Sequence, residues 1–422
     1  MPDASDQLEQ LNALLAQLAG QDTFYAPKLR ATAEQPDHAG TDNACIKFDS
    51  LEAFTENFPF TTRDDLLRDQ QQHPPFGSNL TAPLGHYTRC SQTSGTSTGE
   101  PMTVIDTPQS WQTMLATWRE VYRHAGLSAG RERIFFAFGF GPFLGFWTAF
   151  EAAANDYLCL PGGGLDSRQR LGQMARLGAT VLCCTPTYAI RLGQMIGQAG
   201  YPAATELAVQ TILVAGEPGG SIPAIRKAIT RLWNGARVFD HHGMTETGPI
   251  SWQHPRRPGI LCLDHQRYLC EVIDPVSGTE VEDGSEGELV ITTLARTASP
   301  LLRYRTGDRV RKVLLDGVTH LDGGILGRAD EMRIIRGVNL YPCAVEEVVR
   351  TFFSVDEFLV IEREVHAMPE LEIRIETSQA GIASQLARSL RDRFSLRIAV
   401  TEVAPGSLPR HEFKSQRWIR EQ

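Results

Sequence analysis

Between Ser91 and Pro101 the chain sets six hydroxyl side chains and two glycines into eleven residues: Ser91-Gln92-Thr93-Ser94-Gly95-Thr96-Ser97-Thr98-Gly99-Glu100-Pro101. Glycine lets the backbone turn tightly and expose consecutive N–H groups, and Ser and Thr add O–H donors. Such a loop suits phosphate oxygens. It is not a Walker A loop, because no lysine follows Gly99 and the glycines stand too close together. Five further polar stations follow in order. They are Gly216-Glu217-Pro218, Asp240-His241-His242-Gly243-Met244-Thr245-Glu246, Arg303-Tyr304-Arg305-Thr306-Gly307-Asp308, Gly327-Arg328-Ala329-Asp330, and Lys414 near the end.

The elements between these stations predict where they sit. Leu8, Leu11, Leu14, Leu15 and Leu18 recur at helical spacing, so an amphipathic helix opens the chain. Residues 20–60 read as irregular. Thr61 or Thr62 is an N-cap candidate, with Asp64 and Asp65 in the first turn. Trp111, Met114, Leu115, Trp118 and Tyr122 form one apolar helical face. Strand-like runs at 133–138, 157–160, 180–184, 211–215 and 237–240 then alternate with helical segments at 168–176, 189–198 and 222–232. That alternation implies parallel βαβ units, whose ligands bind beyond the carboxyl ends of the strands. Gly216-Glu217-Pro218 and His241-His242-Gly243 each fall just after a predicted strand. Beyond residue 260, shorter strands separated by Asp283-Gly284 and Asp316-Gly317 suit a small β-rich subdomain. From Gly327 a compact α+β pattern begins. The expected fold is α/β: a large N-terminal domain over 1–326 with a parallel sheet and a β-rich subdomain, and an α+β lid over 327–422, hinged near Asp330.

Composition narrows the class. A chain of 422 residues exceeds what one core usually holds. With 42% hydrophobic and 22% charged residues it is ordinary for a soluble globular protein. A net charge of −9 argues against a nucleic-acid partner. Eight cysteines scattered along the chain, three of them in apolar strand-like runs, read as reduced thiols in the cytoplasm. The acidic start Met1-Pro2-Asp3-Ala4-Ser5-Asp6 lacks a signal-peptide pattern. No run reaches membrane-spanning length, since Gly139, Gly141, Pro142 and Gly145 interrupt the longest. His254, Cys262, His265 and Cys270 are zinc-ligand types, but their spacing matches no standard finger, and a polar loop with buried thiols is the favoured reading.

Taken in order, these stations resemble the adenylate-forming superfamily of acyl-CoA ligases and, within it, the phenylacetate–CoA ligase family, from about Thr61-Thr62-Arg63-Asp64-Asp65-Leu66 to the C-terminus. The resemblance implies a reaction in two halves: an acid and ATP give acyl-AMP and pyrophosphate, then coenzyme A gives the thioester and AMP. It implies that Ser94, Gly95, Thr96, Ser97, Thr98 and Gly99 hold the β- and γ-phosphates, and that Gly216, Glu217 and Pro218 line the adenine. Asp240, His241, His242, Gly243 and Met244 would border the purine, with His242 stacking on it. Thr245 would bond a phosphate oxygen and Glu246 would bind Mg²⁺. Asp308 would accept from the ribose hydroxyls, and Arg328 would reach the ribose or phosphate. Gly337 would lie on the lid face that meets coenzyme A.

Three departures from the family pattern bear on ATP affinity and loop geometry. Thr96-Ser97-Thr98 replaces two residues, so the loop is one longer. Glu100 stands where a basic residue is usual, and His242 where a tyrosine is typical. For the acyl group, Phe140, Phe143 and Tyr188 are the candidate wall, fitting an aromatic or other apolar small carboxylic acid. Such an enzyme needs no membrane and no nucleic acid, and at most a second copy of itself. Two competing readings are an adenylating enzyme that passes the acyl group to a carrier protein or an amine, and a nucleotide-binding protein without turnover.

In the related enzymes a lysine at the place of Lys414 reaches from the lid into the ATP site during adenylation only. An ammonium there bridges the acid's carboxylate and a phosphate oxygen as charge develops. Lys414→Ala is therefore expected to lose acyl-AMP formation by roughly two orders of magnitude or more. It should still convert synthetic acyl-AMP and coenzyme A to thioester at close to the wild-type rate. Single-turnover assays of each half-reaction decide it, and equal loss in both would rule out the division.

Overall fold

The computed structural model describes residues 4–19, 21, 23–34, 46–93, 101–139, 141–365, 368–410 and 416–421. The opening helix is α1 (Ala4–Leu18), which buries Leu11, Leu14, Leu15 and Leu18. These pack with Phe48, Phe54 and Phe58 and with Leu269, Leu294 and Leu302 of the later β region. The stretch 20–60 is not irregular throughout, as the sequence reading had it: it contains α2 (Ala26–Ala33) and α3 (Leu51–Asn57). Helices this short show no readable period and are marginal alone. They form because Leu29, Ala33 and Phe54 join the same cluster. Next, α4 (Arg63–Gln72) starts on a capping box, in which Thr62 accepts from the Asp65 amide and Asp65 accepts from the Thr62 amide.

Strands β1 (Arg89–Gln92) and β2 (Thr103–Asp106) pair antiparallel, Arg89 opposite Asp106 and Gln92 opposite Thr103. They form the stem whose connection carries the Ser/Thr/Gly stretch. Helix α5 (Pro108–His124) buries the apolar face read from the sequence. The alternating region becomes β3 (Arg133–Phe136), α6 (Leu144–Ala153), β4 (Leu158–Pro161), α7 (Ser167–Leu177), β5 (Val181–Cys184), α8 (Pro186–Met195), β6 (Thr211–Val214), α9 (Pro223–Leu232) and β7 (Arg237–Asp240). The five strands form one parallel sheet in the order β4-β3-β5-β6-β7. Both faces are covered, α5 and α6 on one and α7, α8 and α9 on the other. Two buried faces explain the continuous apolar runs Val181–Cys184 and Thr211–Val214.

Two short pieces, β8 (Gly243–Met244) and β9 (Gly248–Pro249), lead into an antiparallel sheet. It comprises β10 (Ser251–Gln253), β11 (Ile260–Leu263), β12 (Tyr268–Ile273), β13 (Glu286–Thr293), β14 (Tyr304–Leu315) and β15 (Val318–Arg328), in the order β10-β11-β15-β14-β13-β12. The last two are longer than the sequence suggested, because their outer residues are held by pairing rather than burial. Asp316 and Gly317 join them with φ of +52° and +77°, the left-handed pair that a two-residue hairpin turn requires. After a 3₁₀ turn at Ala329–Glu331 come β16 (Arg333–Ile335), β17 (Val338–Leu340), α10 (Pro342–Arg350), β18 (Val355–Val365), β19 (Met368–Thr377), α11 (Ile382–Phe394), β20 (Ala399–Val403) and β21 (Trp418–Arg420). This C-terminal part has its own sheet, β20-β19-β18-β21, and its own core, which includes Val345, Val349, Val360, Ile373, Leu386 and Leu390. No helix among the described residues is long and apolar enough to cross a membrane.

One ion pair ties the N-terminal parts together. Arg296, in the connection between β13 and β14, donates from Nε and Nη2 to the two Asp106 carboxylate oxygens, each at 2.7 Å, with both side chains 1% exposed. Its Nη1 donates to the carbonyls of Thr245 and Glu246. Removing one partner of a buried pair strands the other charge. Arg296→Met is expected to destabilise the protein by about 3–5 kcal/mol, while Arg296→Met with Asp106→Leu should recover most of that. Urea denaturation of the three proteins checks it, and a double variant no more stable than the single one would contradict it.

Candidate active site

The site is assembled at the carboxyl ends of β6 and β7 and along β14. Past β6 the chain turns at Gly216, φ +90°, and Glu217 Oε1 accepts from the Thr187 amide at 2.8 Å, at the start of α8. Asp240 ends β7, and His241 and His242 follow it. Asp240 is buried, and its Oδ2 accepts from Ser221 Oγ at 2.7 Å. Gly220 cannot carry a side chain, since a Cβ there would stand 2.3 Å from the Asp240 carboxyl. Burial pushes this carboxyl up to about 6, against the opposing pull of Ser221 and Arg226.

A second carboxylate shows the opposite balance. Asp308, on β14, has His242 Nε2 at 2.9 Å from its Oδ2 and Arg328 Nη1 at 3.1 Å from its Oδ1. Arg328 stands directly opposite it on β15 and reaches on to Asp330 at 3.0 Å. Burial favours the neutral acid, but the two basic partners outweigh it and hold Asp308 below the usual carboxylate range. The same carboxylates hold the Arg328 guanidinium charged despite its burial.

Glu246 marks the third corner. Its Oε1 accepts from Arg63 Nη1 at 3.0 Å and lies 3.4 Å from the buried Tyr304 hydroxyl. Arg63 also donates through Nη2 to Thr93 Oγ1 at 3.2 Å, at the mouth of the β1–β2 connection. The period-2 burial of β14 places Tyr304 and Asp308 on one face, so a single strand carries contacts to both Glu246 and His242. Thr245 and Glu246 are fixed through their carbonyls by Arg296. Gly243 and Met244 form β8 itself.

The candidate acyl wall divides. Phe143 is 46% exposed at the start of α6, on a loop whose Pro142 carbonyl accepts from the Gln92 amide at 2.7 Å. Tyr188 is not the loop residue the sequence suggested: Thr185 caps α8 one turn earlier, which puts Tyr188 in the helix and in the core, 1% exposed, its hydroxyl 3.0 Å from Ser167 Oγ. Gly337, φ +81°, and Arg336, φ +50°, make the tight turn between β16 and β17. Ser94 to Gly99, Phe140 and Lys414 lie outside the described residues. His254 Nδ1 accepts from the amides of Arg256 and Arg257, and His265 Nε2 lies 2.8 Å from the Thr319 carbonyl. Among the described residues no group of three or more His, Cys, Asp or Glu converges.

Sequence reasoning missed Arg63, Arg296 and Ser221. Arg63 had a signal, as a basic residue in a first turn otherwise acidic after an N-cap. Arg296 and Ser221 had none, because their partners are 190 and 19 residues away.

Comparison with known proteins gives the family. Residues 90–295 match the family described as AMP-binding enzyme, and residues 337–422 match the AMP-binding enzyme C-terminal domain. The chain is 31% identical to the phenylacetate-coenzyme A ligase of Thermus thermophilus, over 96% of this chain and 93% of that one. It superposes on 2-hydroxyisobutyryl-CoA ligase in the postadenylation state, in complex with 2-HIB-AMP, with a TM-score of 0.87 at 24% identity, covering 99% of this chain and 88% of that one. On the same ligase with 2-HIB-AMP and CoA in the thioesterification state the TM-score is 0.71 at 25% identity, covering 100% and 91%.

Asp240 generates a pH prediction. Its folded-state value, about 6, lies above the ordinary 3.8, so its contribution to stability is full below pH 4 and lost as pH rises through 6. The full effect is ~3 kcal/mol. Asp240→Asn keeps an acceptor for Ser221 and removes the titration. The stability of wild type relative to this variant is therefore expected to fall by about 1–3 kcal/mol between pH 4 and pH 7. Chemical denaturation across that range measures it, and a flat difference would remove burial as the cause.

Proposed function

The chain belongs to the phenylacetate–coenzyme A ligase family of AMP-binding enzymes, and we propose that it joins a small carboxylic acid to coenzyme A through an acyl-AMP, using ATP. The observation that carries the reading is the linkage along β14. It sets Glu246 at the stem of the Ser/Thr/Gly connection and an ionised Asp308 between His242 and Arg328 beyond β7. These are the needs of a bound nucleotide: donors for phosphate, a hard oxygen ligand near it, and an anionic acceptor for a diol.

In the first half-reaction a carboxylate oxygen of the acid attacks the α-phosphorus, the bond to the β-phosphate oxygen breaks, and pyrophosphate leaves. In the second, the coenzyme A sulfur attacks the acyl carbon, the bond to the phosphate oxygen breaks, and AMP leaves. Both are mainly tasks of positioning and charge stabilisation. Ser94 to Gly99 and Thr245 are assigned to the phosphates, and Gly216, Glu217, Pro218, Asp240, His241 and His242 to the adenine side. Asp308 accepts from the ribose hydroxyls, and Arg328 holds it charged and in place for that. Lys414 serves adenylation, Phe140 and Phe143 border the acyl group, and Gly337 faces coenzyme A. Glu246 is the residue that would hold Mg²⁺; among the described residues no cage of ligands surrounds it, and a single carboxylate suits an ion that is usually shared with substrate phosphates. Bound there, Mg²⁺ supplies charge neutralisation at the phosphates.

The test is pyrophosphate release with ATP, Mg²⁺ and a panel of small aromatic and aliphatic acids, followed by AMP release on adding coenzyme A. Pyrophosphate without coenzyme A-dependent AMP release would point to a carrier protein or amine acceptor, and no pyrophosphate with any acid would overturn the reading. Glu246→Gln keeps shape and loses the negative charge, and is expected to lower pyrophosphate release by about 100-fold or more while the protein stays folded. Wild-type release by a correctly folded variant would remove Glu246 from the phosphate site.

A further inference from the structure

Three residues beyond Lys414 stands Arg417, 5% exposed, in the buried contact between the C-terminal domain and the start of α8. Within its own domain it donates through Nε to Glu357 Oε1 at 2.6 Å and through Nη1 to Glu346 Oε1 at 3.1 Å. Arg350, on α10, faces the same two carboxylates at 3.4 and 3.7 Å. Across the domain boundary Arg417 Nη1 lies 3.3 Å from Thr187 Oγ1, on the first turn of α8. A guanidinium at a helix N-terminus is repelled by the helix dipole. Glu217 offsets this, since its carboxylate accepts from the Thr187 amide and adds to the field that keeps Arg417 charged despite its burial. Gln194 also donates to the Asp356 carbonyl and Arg231 lies over the Phe353 ring, both contacts of exposed groups.

We propose that Arg417 is a positioning residue for the first half-reaction: it seats the C-terminal domain on the first turn of α8, beside Glu217, in the arrangement that serves acyl-AMP formation. The inference rests on the reaction proposed above. Two observations carry it. The buried contact joins the segment that follows Lys414 to the Gly216-Glu217-Pro218 turn on the adenine side. The whole chain also superposes better on the related ligase in its postadenylation state than in its thioesterification state, 0.87 against 0.71. Arg417 is thus a contact of one domain arrangement, to be made for acyl-AMP formation and released for thioester formation.

Two variants test it. Arg417→Lys keeps the charge and loses the fork that reaches two partners at once. Thr187→Val keeps the shape of α8 and the amide held by Glu217, and removes only the hydroxyl. Acyl-AMP formation in single turnover is expected to fall about 10- to 100-fold in Arg417→Lys, the scale of a lost charge-assisted hydrogen bond, and by a smaller factor in Thr187→Val. Thioester formation from synthetic acyl-AMP and coenzyme A should stay within about twofold of wild type or rise, because release of the contact does not oppose it. Hydrogen exchange at the first turn of α8 should quicken in both variants. Equal loss in both half-reactions would leave Arg417 a merely structural residue and overturn the proposal, as would unchanged adenylation. If the wild-type protein activates no acid, the proposed reaction fails on its own. The exchange arm then decides the docking, faster exchange in both variants upholding the contact and unchanged exchange overturning it.

Discussion

Everything at the site depends on one buried guanidinium. Arg296 holds Asp106, at the end of the β1–β2 stem, and the carbonyls of Thr245 and Glu246 in a single network closed to water. In a low-dielectric interior such a network tolerates little displacement, since each unpaired member would carry the full cost of its desolvation. The stem of the hydroxyl-rich connection and the turn bearing Glu246 are therefore fixed relative to each other before any nucleotide arrives. Preorganisation of that kind is what stabilisation of a developing charge requires.

The carboxylates of Asp240, at the end of β7, and Asp308, on β14, show how a fold assigns different tasks to the same chemical group. Asp240 and Asp308 are both buried. Asp240 has a hydroxyl as its direct partner and drifts upward to about 6. Asp308 has His242 and Arg328 and is driven the other way. An acid raised in this way takes up a proton more readily than one held by cations. One that stays ionised suits an acceptor for hydroxyl groups. The difference comes from neighbours contributed by β15 and by the turn after β7, and not from depth.

His242 shows the consequence of a departure from the family pattern. The imidazole that replaces the usual tyrosine brings a ring nitrogen to 2.9 Å from Asp308 as well as a flat face. Arg63 stands in a comparable relation to the connection that carries Glu100 where a basic residue is usual. It supplies a cation at the mouth of that connection from α4, held there by Glu246 and Thr93.

The sequence by itself determined the elements whose cause is local. The leucines of α1, the apolar face of α5, the cap at Thr62, the Asp316-Gly317 turn and the alternation through β7 are readable because propensity, spacing and turn chemistry act within a few residues. The order of the polar stations likewise placed the site at the strand ends. Other features answer only to tertiary structure. The short helices α2 and α3 exist because a remote β region gives them something to bury against. Tyr188 lies in the core because α8 starts a turn earlier than its apolar pattern shows. The grip of Arg296 on Asp106 spans 190 residues, and that of Arg417 on Thr187 spans 230. Contacts of this length leave no periodic trace in a chain, because the partner is chosen by where two surfaces meet and not by what stands nearby in sequence.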